Sequence, residues 1–321
     1  MSSLNLLVIA DPSAPFLQVL SRVPLGVHTV ISDKPDQLKA YAPQADAILV
    51  AHADANLLKE TLGPANRTRW VHWLATGVEG ILPELIHHPA ALTNGRGVFQ
   101  WPLADWVVAA MLFFAFDLRR VMRQQEQGVW QPFIGATLSG RTLGIVGYGG
   151  IGSAAAARAR PFGMKIAALR RRRELFRGDT LVDESYDSSR LNDLLAASDY
   201  VLVATPLTEE TRSMIAAEQI DAMKPSAVIL NVGRGPVIDE AALIRALESG
   251  RIRGAALDVF ETEPLPPGHP LWRLPNVLLS PHTANRVEGF LDPAFECFLE
   301  NLNRYINGRP LLNIVEKEAG Y

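Results

Sequence analysis

The stretch Thr142-Leu-Gly-Ile-Val-Gly147-Tyr148-Gly149-Gly150-Ile151-Gly152-Ser-Ala-Ala-Ala-Ala-Arg158 decides the fold. An apolar run of strand length leads into a G-x-G-x-x-G element, which opens an alanine-rich helix predicted over Ser153–Arg160. Glycine-rich turns are common, so the pattern alone says little. Placed between a strand and a helix, it has the context a dinucleotide phosphate loop requires. Gly147 permits the tight turn, Gly149 lets backbone approach a pyrophosphate, and Gly152 allows close packing of helix on strand. The amides of Gly150, Ile151 and the next residues then face the phosphates. Tyr148 lies within the same loop.

Working outward, the run Lys165–Leu169 reads as the second strand of the unit. An NAD-binding unit usually places Asp or Glu at its end, to accept from the ribose hydroxyls. Here Arg170 stands 18 residues after Gly152, followed by Arg171, Arg172 and Arg173. Guanidinium groups pair with a 2′-phosphate, which a carboxylate repels. The cofactor expected is therefore NADP(H), with NAD(H) still possible. Further strands are predicted at Tyr200–Ala204, Ala227–Asn231, Gly254–Leu257 and Val277–Leu279, with a helix over Asp239–Ser249. Before the loop lie some 140 residues that must form another domain, with strands predicted at Leu6–Ala10 and Ala47–Ala51. A linker is expected between Asn94 and Pro102, and a buried helix over Trp106–Leu118. Leu291, Phe295, Phe298, Leu299, Leu302, Tyr305 and Ile306 form a helical stripe that Gly308 ends.

Three short motifs close successive strands. They are Asn231-Val232-Gly233-Arg234-Gly235, then Leu257-Asp258-Val-Phe-Glu261-Thr-Glu263-Pro264, then Ser280-Pro281-His282-Thr-Ala284. Open α/β sheets bind ligands at the carboxyl ends of their strands. Arginine suits an anionic keto acid, histidine serves as acid or base, and glutamate beside it favours the imidazolium. Singly, Arg234 could be an ordinary loop arginine, Glu263 a solvated carboxylate and His282 a structural imidazole. Their conjunction at three successive strand ends makes coincidence a poor account.

Composition narrows the field further. The chain has 321 residues, about two domains' worth, with 31 Lys+Arg against 34 Asp+Glu and a net charge of -3. That balance argues against a general nucleic-acid binder. The single cysteine, Cys297, excludes an intrachain disulfide or a cysteine-based metal site and fits a reducing cytoplasm. The start, MSSLNLLVIADPSAP, lacks the flank and apolar core of a signal peptide. The longest uncharged apolar run, Trp106–Phe116, has 11 residues, well short of the ~20 of a membrane span. A soluble cytoplasmic protein with no metal, membrane or nucleic-acid partner is expected.

At this point the chain resembles the D-isomer-specific 2-hydroxyacid dehydrogenases, densest from Thr142 to Ala284 in GYGGIG, ATPLTEETRSMI, ILNVGRGPVID, GAALDVFETEPLP and LSPHTA. Within that family it is most similar to the NADPH-using glyoxylate/hydroxypyruvate reductases. The resemblance implies an α/β fold of two doubly wound, Rossmann-like domains. A cofactor domain (97–287) is inserted into a discontinuous flavodoxin-like substrate domain (1–96 and 288–321), with the active site in the cleft between them. It also implies a homodimer, in which the region of the apolar helix Trp106–Leu118 and Trp130 packs against a twofold mate. By position, Arg234, Glu263 and His282 match the family's catalytic residues, Arg234 and His282 touching both cofactor and substrate. Asp258 matches a residue near the nicotinamide carboxamide. Thr205, Pro206, Val232 and Gly233 lie along the cofactor, and Val78, Glu79 and Gly80 match the loop whose amides hold the substrate carboxylate. The implied activity is NADPH-dependent reduction of a small 2-keto acid to the D-2-hydroxy acid.

The sequence departs from the family at Arg170, at Gly80, where many members carry a larger side chain, and at the bulky approach Gln100-Trp101-Pro102. His52 is a further pocket candidate, and His87-His88 reads as surface. A short-chain dehydrogenase would need Tyr-x-x-x-Lys, and no tyrosine here has that lysine. A zinc alcohol dehydrogenase would need cysteine ligands. The rival from another class is a cofactor-sensing regulatory protein of the same fold with little turnover.

Overall fold

The computed structural model describes residues 4–51, 55–171, 176 and 178–320. His52, Arg172 and Arg173 lie outside the described residues. The chain divides into two compact units, 1–99 with 288–321, and 100–287.

The first unit holds a parallel sheet of β1 (Leu4–Ile9), β2 (Val27–Ser32), β3 (Ala47–Val50), β4 (Trp70–Trp73) and β5 (Ala91–Asn94), in the order β2-β1-β3-β4-β5. This is the doubly wound flavodoxin-like order. Leu6–Ile9 and Ala47–Val50 are wholly buried, as expected of parallel strands covered on both faces. The helix Asp292–Ile306 belongs to this unit. Its Phe298 ring stacks on Trp70 at 5.7 Å, and Tyr305 lies 5.3 Å from the same ring. Asn301, fully buried on that helix, both donates to Leu312 O (3.0 Å) and accepts from Leu312 N (2.7 Å), which fixes the tail. Burial among these rings pushes the His72 imidazole down to about 3, and its Nδ1 meets Thr93 Oγ1 at 2.7 Å.

The second unit holds β6 (Thr142–Val146), β7 (Lys165–Leu169), β8 (Glu184–Tyr186), β9 (Tyr200–Val203), β10 (Val228–Asn231), β11 (Gly254–Leu257) and β12 (Val277–Leu279). Their order is β12-β11-β10-β9-β6-β7-β8, with every pairing parallel. The chain winds outward from β6 to β8, then crosses back and winds the other way from β9. The switch point therefore lies between β6 and β9, where such sheets open a crevice at their carboxyl ends.

Two expectations need correction. The stretch from Asn94 to Pro102 is not a linker throughout: Asn94 ends β5 and a helix begins at Gln100. The helix expected over Trp106–Leu118 instead runs Gln100–Ala115 and breaks at Asp117, whose φ of 48° is left-handed, before a second helix Leu118–Gln127. The first helix is also absorbed within its own unit. It packs on the helix Gly150–Ala159, whose alanines permit close approach, and Phe114 lies over Gly254, where a Cβ would sit 2.5 Å from its ring. Its apolar character therefore says nothing about a partner. Beyond the two helices, Trp130 is 95% and Ile134 99% exposed. Among the described residues no single helix is long and apolar enough to cross a membrane, and no cluster of metal-ligating side chains occurs.

Candidate active site

Each glycine of the phosphate loop has a distinct physical reason. Gly147 has φ +99°, and a Cβ there would lie 2.7 Å from Thr205 Cγ2 and 2.8 Å from Ala204 C. A Cβ on Gly152 would meet Gly147 O at 2.7 Å and Ile145 Cγ2 at 2.8 Å, so helix and strand touch there. Gly149 is the opposite case, since nothing lies within 4 Å of its Cβ position. It precedes the helix Gly150–Ala159, whose first turn receives no side-chain cap. Tyr148 is buried, with its ring 5.4 Å from Phe176.

Thr205 and Pro206 follow β9, and Val232 and Gly233 follow β10. The two segments are in contact, because a Cβ on Gly233 would lie 2.8 Å from Thr205 O. Thr205 Oγ1 is buried without a hydrogen-bond partner among the described residues. An orphaned hydroxyl, an uncapped helix start and an open glycine converge on one side of the switch point. That donor set fits the phosphates of a dinucleotide. At the end of β7, Arg170 is half-buried with its guanidinium 5.9 Å from the Phe176 ring centre. Arg171 is exposed, with Nη1 3.8 Å from Glu210 Oε2.

The chemistry-bearing residues gather at the ends of β10, β11 and β12. Asn231, buried at the end of β10, shapes the turn to Arg234 by accepting from Gly233 N (3.0 Å) and donating to Arg234 O (3.0 Å). Arg234 is half-buried, and its Nη1 donates to Gly233 O at 2.7 Å. His282 Nδ1 meets Glu263 Oε2 at 2.7 Å, while Glu263 Oε1 accepts from Phe260 N at 2.9 Å. Burial opposes the charge on Glu263. The hydrogen bonds from His282 and Phe260 and the charge of Arg234 outweigh it, holding the carboxyl below its ordinary value of 4.5. The stability contributed by the charged Glu263 carboxylate is complete above that value and is lost as pH falls through the lower folded one.

His282 has φ +51°, a left-handed backbone unusual for a residue with a Cβ. Asp258, 1% exposed, holds it there. Its Oδ1 accepts from Ser280 Oγ (2.6 Å), Thr283 N (2.8 Å) and Ala284 N (3.0 Å), and its backbone oxygen accepts from His282 N (2.9 Å). Burial pushes the Asp258 carboxyl up, and these hydrogen bonds together with His282 pull it back only in part. Asn231 and Ser280 were not singled out by the sequence reading. Their only signal is adjacency, each lying within three residues of a chemical group it positions.

In the first unit, the loop carrying Val78, Glu79 and Gly80 is pinned on both sides. Trp73 Nε1 donates to Gly77 O (2.7 Å), Asn94 Nδ2 donates to Thr76 O (2.6 Å), and Leu82 N donates to Val78 O (2.8 Å). Val78 is buried, and nothing lies within 4 Å of the Cβ position of Gly80. In the second unit, Trp101 is exposed and lies 4.7 Å from the guanidinium of Arg158, which pairs with Asp105 at 2.6 Å.

The chain is similar to known proteins over most of its length. Residues 108–284 match the family described as D-isomer specific 2-hydroxyacid dehydrogenase, NAD binding domain. The chain is 38% identical over 268 residues to a glyoxylate reductase of Korarchaeum cryptofilum, covering 81% of this chain and 80% of that one. It is 34% identical over 297 residues to glyoxylate/hydroxypyruvate reductase B of Serratia proteamaculans, covering 89% of each. A D-isomer specific 2-hydroxyacid dehydrogenase from Xanthobacter autotrophicus, solved in complex with NADPH and MES, superposes with a TM-score of 0.83 at 29% identity, over 100% of both chains. With a family match over more than half its length and relatives this similar over four fifths of theirs, the chain belongs to the D-isomer-specific 2-hydroxyacid dehydrogenase family.

Proposed function

We propose that the protein reduces a small 2-keto acid, such as glyoxylate or hydroxypyruvate, to the D-2-hydroxy acid with NADPH. The observation that carries the reading is the His282–Glu263 pair, set at 2.7 Å beside Arg234 at the strand ends. With Nδ1 engaged by Glu263, Nε2 is the ring atom left to give a proton to the carbonyl oxygen of the substrate. Glu263 fixes the ring's orientation and offsets the charge of the imidazolium. Arg234 presents a planar fork suited to carboxylate and carbonyl together. The amides of Val78, Glu79 and Gly80 take the carboxylate, and Gly80 leaves room beside them. When bound, the reduced nicotinamide supplies the hydride. Gly147 to Gly152, Thr205, Pro206, Val232, Gly233 and Asp258 form the cofactor's bed, with Arg170 and Arg171 beside the adenosine ribose. The names of the relatives support the substrate class, and the NADPH in the Xanthobacter protein supports the nucleotide.

The protein also forms a homodimer in this reading. Trp130 and Ile134 project almost fully exposed, and Phe116 and Met122 are about half exposed. A large apolar patch on a soluble chain marks an interaction site, and a second copy meeting it about a twofold axis would cover both patches at once.

Three outcomes test these statements. Turnover of glyoxylate, hydroxypyruvate and larger 2-keto acids should be measurable with NADPH, and His282→Ala should lower kcat by ~10²–10⁴ with NADPH binding nearly intact. Glu263→Gln should lower kcat with NADPH binding nearly intact, because the His282 ring loses the charged partner that orients it. Unchanged turnover in His282→Ala would remove it from the mechanism.

For the nucleotide, kcat/KM should favour NADPH over NADH by ~30- to 10³-fold, from two guanidinium–phosphate contacts of ~1–2 kcal/mol each. Arg170→Asp should erase most of that preference; equal use of both nucleotides by the wild type would mark the arginine run as a solvated loop. Sedimentation at micromolar concentration should give twice the chain mass of 35.1 kDa, and Trp130→Ser with Ile134→Ser should give the single chain. A 35.1 kDa wild-type species would count against the dimer.

A further inference from the structure

Glu263 stands on an exposed segment, Glu261 to Pro264, so its carboxylate can be aimed at His282 only if something fixes that segment to the scaffold. A second carboxylate–imidazole pair does so. Glu240 is the first residue of the helix Glu240–Glu248. Its Oε1 lies 3.2 Å from His269 Nε2, and its Oε2 accepts from Glu261 N at 3.2 Å. One side chain therefore grips the segment two residues before Glu263 and again six residues after it. Both partners are largely sheltered, the Glu240 side chain 14% and the His269 side chain 20% exposed. His269 Nδ1 is buried without a partner among the described residues, so Nε2 is the ring atom that faces Glu240.

The same segment lies directly against the Arg234 turn. A Cβ on Gly235 would come within 1.9 Å of Phe260 C and O, so no space exists for the segment to settle closer if its grip is lost. It can only move outward, away from that turn.

We propose that Glu240 and His269 are positioning residues for the reaction, holding Glu263 against His282 without touching substrate or cofactor. The proposal rests on the reading of Glu263 and His282 given above. A misplacement of about 1 Å can cost up to ~10²-fold in rate, so the effect belongs in kcat and not in nucleotide binding.

The test is a double-mutant cycle on the full chain, with kcat for glyoxylate and NADPH affinity by fluorescence titration as readouts. Glu240→Ala should lower kcat about 10- to 100-fold, leave NADPH affinity within about threefold, and be largely rescued by Glu240→Gln, which keeps an acceptor. In a Glu263→Gln background the same Glu240→Ala change should cost less than about twofold, because residues that act through one another are not additive. If thermal unfolding shows that Glu240→Ala does not fold, the cycle is run with His269→Ala, which leaves the helix start intact. An equal kcat loss in both backgrounds, or no loss in a folded single variant, would overturn the positioning role. Wild-type turnover by Glu263→Gln itself would overturn the reading of Glu263 and the proposal with it, a different outcome from either of these.

Discussion

The site depends on one constraint: the backbone at His282 must stay left-handed. A side-chain-bearing residue held in that conformation costs about 1–2 kcal/mol, so the surroundings must over-determine it. They do so through Asp258, whose buried carboxylate takes two amides and a hydroxyl from the turn on a single oxygen. Hydrogen bonds to a charged acceptor contribute about 1.5–3 kcal/mol each, enough to offset the strain. Without the turn, Nδ1 would not face Glu263 and Nε2 would have no fixed direction.

Two carboxylates thus serve one imidazole from different environments. Asp258 lies under the turn, where burial pushes its carboxyl up, and it shapes backbone. Glu263 lies beside the ring, partly open to water, and its partners pull its carboxyl down, so it stays charged and faces His282 Nδ1. Environments that push paired titratable groups apart are a mark of assigned acid–base roles. The phosphate loop follows the same economy of space: Gly147 and Gly152 are packed too tightly for any side chain, while Gly149 faces open room.

Much of this was legible in the sequence, and the gaps have physical causes. The strands Lys165–Leu169 and Gly254–Leu257 fall where apolar runs between turn residues put them, because parallel strands buried on both faces leave a continuous signal, and the edge strand Val277–Leu279 was readable because all three of its residues are apolar. Val27–Ser32 and Glu184–Tyr186 gave no such signal, since these are edge strands with polar or half-exposed residues. Trp70–Trp73 was hidden by a buried histidine that the ring of Phe298 and the hydroxyl of Thr93 accommodate. The helix break at Asp117 was invisible because the apolar pattern continues through it into Leu118. In the site, Arg234, Glu263 and His282 were readable as chemical types at strand ends. Asn231, Ser280, Glu240 and His269 were not, because a residue that works by holding backbone has no composition of its own.

The most direct test of the account follows the hydride. With NADPH deuterated at the transferring C4 position and glyoxylate replaced by a 2-keto acid that gives a chiral product, the reaction is run to completion and the product examined by mass spectrometry and chiral separation. The account predicts one deuterium on C2 of the D-2-hydroxy acid. An unlabelled product, an L product, or no product from any 2-keto acid would contradict it.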